Sequence, residues 1–220
     1  MMNRLKLPEV ARMENLVGQP CPICGDEDSL RMLAMTAEIP YFGEHTQITL
    51  SCEKCGFRQT DFIPAEEKGA LCHTLHITKP EHLRARVVRG SSGTVRLPEL
   101  DLEVAPGTHS TGYVSNIEGV LQRFIDIIEM VFRQTRSDAE ESEEGAEEAV
   151  LVMTEMLTTL EGLKDGEGMG SCTLEIQDPN GHSTIAHEDT VVRKLSEDEV
   201  GDLDPGPVPL VFDASDDAVD

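Results

Sequence analysis

Tryptophan is absent from the 220 residues and aromatic side chains make up only 4%. A core must therefore be packed by Leu, Ile, Val and Met, which a hydrophobic fraction of 39% allows. Long apolar runs are missing as well, and none approaches the ~18 residues that a membrane-spanning helix needs. The segment Met1–Val10 carries two early cations, Arg4 and Lys6, without the apolar stretch of a secretory signal. A cytoplasmic protein with no membrane attachment is expected. Positive charge is scarce: 18 bases stand against 42 acids for a net charge of −24, with Lys at half the number of Arg. Such a surface repels phosphate backbones and has few cations with which to displace their counterions, so no nucleic-acid partner is expected. It would also suit a cytoplasm of very high salt. No Gly-x-Gly-x-x-Gly, phosphate-loop Gly-Lys-Ser/Thr or nucleophile elbow occurs, and no enzyme is expected.

Six cysteines are present, and four of them form two Cys-x-x-Cys pairs. Without an export signal, such pairs read as metal ligands rather than crosslinks. Cys21-Pro-Ile-Cys24-Gly25 and Cys52-Glu-Lys-Cys55-Gly56 are separated by the 27 residues from Gly25 to Ser51. Two thiolates two residues apart clasp a metal from one turn, and a second such turn completes a tetrahedron. Gly25 and Gly56 supply the tight turns whose amides face the sulfurs. A closed four-sulfur site has no open position, so Cys21, Cys24, Cys52 and Cys55 are expected to hold a structural zinc. Iron is the rival metal, but rubredoxin-type segments are rich in core aromatics and this one is not. Cys72 and Cys172 stand apart and read as small buried hydrophobes. The seven histidines form no compact ligand motif, and His73 and His76 would face opposite sides of a strand.

The order of elements along the chain reads as mainly β with α. Residues 1–18 form a mixed-charge leader and 19–62 a zinc ribbon, with strands at Met32–Ile39 and Thr46–Ser51. A β domain occupies 63–114 and 165–195. Its candidate strands are Leu75–Ile77, Arg86–Arg89, Thr94–Leu97, Leu100–Val104 and Thr173–Ile176, the last running into the turn signal Asp178-Pro-Asn-Gly181. Residues 115–164 form a helical hairpin. Its first helix is expected from Ser115, with Glu118 completing a capping box, and its second from Ser137 with Glu140. Thr135-Arg136 is the expected join. Ile117, Val120, Leu121, Phe124, Ile127, Ile128 and Val131 define one apolar face, and Val150, Met153, Met156, Leu157, Leu160 and Leu163 the other. The acidic run Asp138–Glu148 complements the N-terminal dipole of the second helix. Residues 196–220 hold nine acids and no base, the composition of a solvated tail, in which Val208–Phe212 offers a short edge strand.

Five stretches together resemble the ZPR-type zinc-finger family, in the family's order. They are Ile39-Pro-Tyr-Phe-Gly-Glu44, Cys52-Glu-Lys-Cys-Gly-Phe-Arg58, Leu97-Pro-Glu-Leu-Asp-Leu-Glu-Val104, Asn116-Ile-Glu-Gly-Val-Leu121 and Leu174-Glu-Ile-Gln-Asp-Pro-Asn-Gly181. Eukaryotic members carry the module twice and this chain carries it once, so it resembles an archaeal single-module member. The resemblance implies a four-cysteine zinc ribbon followed by a double-stranded β-helix-like domain bearing the helical hairpin. It also implies a non-enzymatic role, binding translation elongation factor one-alpha and assisting its folding or handling. Tyr41 and Phe42 would then stand at the ribbon's hairpin tip as partner contacts, or else pack against the β domain. Two other classes stay open: a ribosome- or RNA-polymerase-associated zinc ribbon contacting nucleic acid, and an enzyme using the β-domain interior as a pocket.

Overall fold

The computed structural model describes residues 11–16, 20–39, 43–65, 68–140, 146–204 and 206. Its first unit is a four-stranded antiparallel meander of β1 (Ala11–Leu16), β2 (Leu30–Ile39), β3 (Gly43–Cys52) and β4 (Arg58–Pro64). The β2–β3 register pairs Leu30 with Cys52 and Ile39 with Gly43, which brings both cysteine turns to one end of the sheet. Cross-strand threonine pairs, Thr36 with Thr46 at 3.2 Å and Thr49 with Thr60 at 3.1 Å, tie neighbouring strands.

Among the described residues, the second unit has eight strands in two antiparallel sheets. They are β5 (Leu71–His76), β6 (Arg86–Arg89), β7 (Thr94–Leu97), β8 (Leu102–Val104), β9 (Tyr113–Asn116), β10 (Thr173–Asp178), β11 (Thr184–Ala186) and β12 (Val191–Lys194). One sheet runs β12-β5-β10-β7-β8 and the other β11-β6-β9. Leu75, Val95, Leu97, Leu174 and Ile176 of the first join Val87 and Ile185 of the second in one core. Two helices, α1 (Ile117–Glu140) and α2 (Ala146–Lys164), close it with Ile117, Leu121, Phe124, Ile125, Ile128, Leu160 and Leu163. Eight strands in two facing sheets are a jelly roll, in agreement with the expected double-stranded β-helix. No helix among the described residues is long and apolar enough to cross a membrane.

Several local expectations are corrected. α1 begins two residues after Ser115, which ends in β9; the cap is Asn116, whose side-chain oxygen accepts from the Gly119 amide at 2.9 Å. The helix then runs through Thr135, Arg136 and Ser137, because neither Gly nor Pro interrupts residues 120–144. The second helix is described only from Ala146, and residues 141–145 of the acidic run lie outside the described residues. Ile127 and Val131 are exposed, and Ile125 takes a place in the core instead. The expected leader contributes β1, which pairs with β2 from Ala11↔Thr36 to Leu16↔Arg31. The expected strand at 100–104 starts as a single turn, Pro98–Leu100, with Asp101 in the left-handed region before β8. The expected tail opens with a helix, α3 (Glu197–Asp202), capped reciprocally by Ser196 and Glu199 and tied down by Arg193–Glu199 at 2.7 Å. Val208–Phe212 lies outside the described residues.

The two units meet along β4. Asp61 accepts from the Ser91 amide at 2.9 Å and the Ser91 hydroxyl at 2.6 Å, and the Gly112 amide donates to the Thr60 carbonyl at 2.7 Å. Phe62 packs with Val88 and Val114 beneath these bonds. Gly112 permits the approach, since a Cβ there would come within 2.9 Å of the Phe62 ring and 3.1 Å of the Arg89 carbonyl.

Candidate metal centre

Each cysteine turn is built the same way. The Cys21 amide donates to the Asp26 carbonyl and the Gly25 amide to the Cys21 carbonyl, both at 2.8 Å. In the second turn the Cys52 amide donates to Phe57 at 2.9 Å and the Gly56 amide to Cys52 at 3.0 Å. Gly25 and Gly56 have φ of 70° and 75°, the left-handed conformation that residues with a Cβ rarely adopt. The four sulfurs therefore converge. Cys21 Sγ lies 3.7 Å from Cys55 Sγ, Cys24 Sγ lies 3.7 Å from Cys52 Sγ, and all four are within 4.8 Å of one another.

A tetrahedron with metal–sulfur bonds of about 2.3 Å has edges of about 3.8 Å, so this donor set fits a four-thiolate metal ion. Its electrostatics ask for one. The Ser29 hydroxyl, 3.0 Å from Cys52 Sγ, together with the Cys55 and Lys54 amides, brings the Cys52 thiol down to about 6. The Phe57 amide also favours the Cys55 thiolate, but burial and the three neighbouring sulfurs outweigh it and hold that thiol up at about 12. One thiolate forms readily and the fourth does not, unless a cation offsets their repulsion. Around the centre, Arg31 pairs with Glu53 at 2.7 Å and Lys54 with Asp26. Cys21 and Cys52 are buried against Leu30 and Leu50, whereas Cys24 and Cys55 face outward. Tyr41 and Phe42 lie outside the described residues.

Cys72 and Cys172 are both buried in the jelly roll, as expected of small hydrophobes. The fold also gathers His82, His187 and Asp189, a group that no sequence motif announced because it joins residues more than 100 positions apart. His82 Nε2 and Lys79 Nζ both approach Asp189 Oδ2, at 3.0 and 2.8 Å. Lys79 first and His82 second hold the Asp189 carboxyl down at about 2. With a lysine ammonium on the same oxygen, the cluster is a Lys79–Asp189 ion pair joined by a His82 hydrogen bond, and it fastens the segment before β12 to the turn at Pro80–Arg84.

A metal-binding ribbon fastened to a jelly roll defines the class as a zinc-finger protein with a β-sandwich partner domain. Residues 12–68 match the model of the ZPR1 zinc-finger domain, and residues 81–199 match the ZPR1 jelly-roll domain. The chain belongs to the ZPR1 family. A ZPR1-like protein of Pyrococcus horikoshii is 38% identical over 189 residues, covering 85% of this chain and 80% of the relative. One from Methanocaldococcus jannaschii is 37% identical over 194 residues, covering 88% and 92%. The zinc finger chaperone zpr1 of Schizosaccharomyces pombe is 32% identical over 109 residues, 48% of this chain and 22% of that protein.

Proposed function

We propose that this chain is a zinc-loaded, non-enzymatic binding protein of the cytoplasm that assists the folding or handling of translation elongation factor one-alpha. The observation that carries the reading is a closed metal centre in a ribbon joined to a jelly roll whose helical hairpin leaves Met130, Val131, Leu151 and Val152 in water. Four thiolates fill a zinc ion's tetrahedron, so the metal shapes the ribbon and takes no substrate. Exposed apolar side chains on a rigid support suit transient cover of a client's own apolar surface. The name of the fission-yeast relative, a zinc finger chaperone, supports that class of role. The elongation factor itself comes from the family resemblance, and the net charge of −24 suits a client with basic surface.

Titration calorimetry with the cognate factor, nucleotide-free and GTP-bound, tests the reading. Joint Tyr41→Ala and Phe42→Ala substitution is expected to weaken association by at least roughly tenfold, because buried aromatic anchors each contribute about 2 kcal/mol. Metal content and circular dichroism should match the parent. Absence of binding by the parent to either form would remove the factor as partner. Equal binding by parent and variant would move the contact off the ribbon tip. Micromolar RNA binding that weakens as salt rises would favour the nucleic-acid class instead.

A further inference from the structure

The jelly roll holds a cavity of about 270 Å³ where Val95 of β7, Val104 of β8 and Tyr113 of β9 face Val120, Arg123, Phe124 and Ile127 of α1. Arg89, at the end of β6, forms its inner polar wall with Ser110 and Thr111. We infer that this cavity binds a small organic carboxylate, with the carboxylate between Arg89 and Arg123 and an apolar body against the valines and Phe124.

Arg89 is only 6% exposed. Its Nε donates to the Gly93 carbonyl at 2.8 Å, and Nη1 donates to Ser110 Oγ at 2.8 Å and the Thr111 carbonyl at 3.3 Å. Its Nη2 is buried and has no acceptor among the described residues. The fold thus keeps a guanidinium out of water, pairs two of its nitrogens with neutral oxygens and leaves the third unpaired among the described residues. A buried cation without a hydrogen-bonded anion is costly. Asp178 and Asp61 act on it only through space, since their carboxylates are committed elsewhere: Asp178 to Ser92 and Ser183, Asp61 to Ser91.

The second cation is Arg123, whose guanidinium carbon lies 4.2 Å from the centre of the Tyr113 ring, with that of Arg89 5.8 Å from the same ring. Neither arginine forms an ion pair among the described residues. Two arginines converge on this cavity with no carboxylate among its described lining residues, an arrangement that an incoming anion would complete. A planar carboxylate matches the fork geometry of guanidinium. The apolar part of the lining, Val95, Val104, Val120, Phe124 and Ile127, suits a hydrocarbon body, so the ligand class is a monocarboxylate that carries one. The described lining residues include no His, Cys, Asp or Glu, so the site holds its ligand without converting it.

The test uses the zinc-loaded full chain and 4-methylpentanoate, followed by amide NMR shifts and calorimetry. The acid is expected to bind with a Kd of about 1 mM or tighter and to move the signals of Tyr113 and Arg123. The matching amide, 4-methylpentanamide, should bind at least roughly tenfold more weakly. Arg123→Gln, a change at an exposed position, should lose a similar factor for the acid. An octapeptide ending in a free leucine carboxylate separates the sources: competition with the acid assigns the carboxylate to a chain end, and no competition assigns it to a free small acid. Equal binding of acid and amide, equal binding of inorganic phosphate, unchanged binding by Arg123→Gln, or no binding of the acid at about 20 mM would each overturn the inference.

Discussion

The ribbon gathers two buried thiols and two leucines, Cys21, Cys52, Leu30 and Leu50, with Met32 and Phe57 at their edge. The jelly roll gathers, among the described residues, nineteen buried apolar ones around Leu75, Leu121 and Leu174. Fully burying each aliphatic side chain contributes about 1.5–3 kcal/mol, so the second set can offset chain entropy and the first cannot. The difference locates where stability comes from: coordination in one unit, burial in the other. The metal centre is then a condition for the ribbon to exist and an accessory to the rest.

The most severe way to break this contrast is to remove a ligand. Cys52→Ser should abolish stoichiometric zinc binding and unfold the ribbon, since structural zinc sites contribute about 10–16 kcal/mol of coupled binding and folding. Hydrogen exchange should show protection lost over residues 20–64 and kept in β5, β7 and β10. Full metal retention, or equal loss in both units, would refute the division. Next, Leu174→Ala, which opens a void at a fully buried position, should cost about 2–5 kcal/mol of jelly-roll stability and leave zinc content unchanged. Denaturant unfolding with parallel metal analysis reads both quantities.

Asp61→Ala probes the seam and should cost about 1–3 kcal/mol by stranding the Ser91 amide and hydroxyl. Chelator treatment followed by jelly-roll melting should show less coupling between the units in this variant than in the parent. The effect expected to be smallest near neutrality is a pH slope from His73. Burial brings its imidazole down to about 4, with Lys68 adding to the shift. The folded pKa lies below the unfolded value of about 6.5, so the unfolded chain binds the extra proton between those limits. Stability contributed by neutral His73 is present above about 6.5 and lost as pH falls towards 4. His73→Gln should flatten the fall of jelly-roll stability across that window, as followed by urea midpoints.

How much of this was legible follows from the distance over which each feature is written. The four ligands are local pairs with fixed spacing, so their convergence could be read directly. The strands Arg86–Arg89 and Thr94–Leu97 were legible through their β-branched runs, and the turn at Asp178–Gly181 through its composition. Ser137 misled because a serine with Glu140 three residues on imitates a cap, whereas the uninterrupted sequence around it simply continues the helix. Conversely, Ser196 with Glu199 was a true capping box hidden by the acids around it. β1 was hidden because Ala-Arg-Met-Glu-Asn-Leu shows no strict alternation and is a strand only beside β2. Arg89, Tyr113 and Arg123 share no motif at all. The crossing of β6, β9 and α1 alone makes them neighbours.

The place of β10 in its sheet governs the order in which this chain becomes foldable during synthesis. β10 lies between β5 and β7, pairing Leu174 with Leu75 and Ile176 with Val95, and the whole helical hairpin is translated before it appears. The ribbon, by contrast, is complete at Pro64 and its last ligand is Cys55. A nascent chain can therefore load its metal and close the ribbon while more than a hundred residues remain to be made. During that interval β5 and β7 wait with unpaired edges facing the gap that β10 will fill. Slow elongation through the hairpin would lengthen the time for which those edges stay open to pairing with other chains.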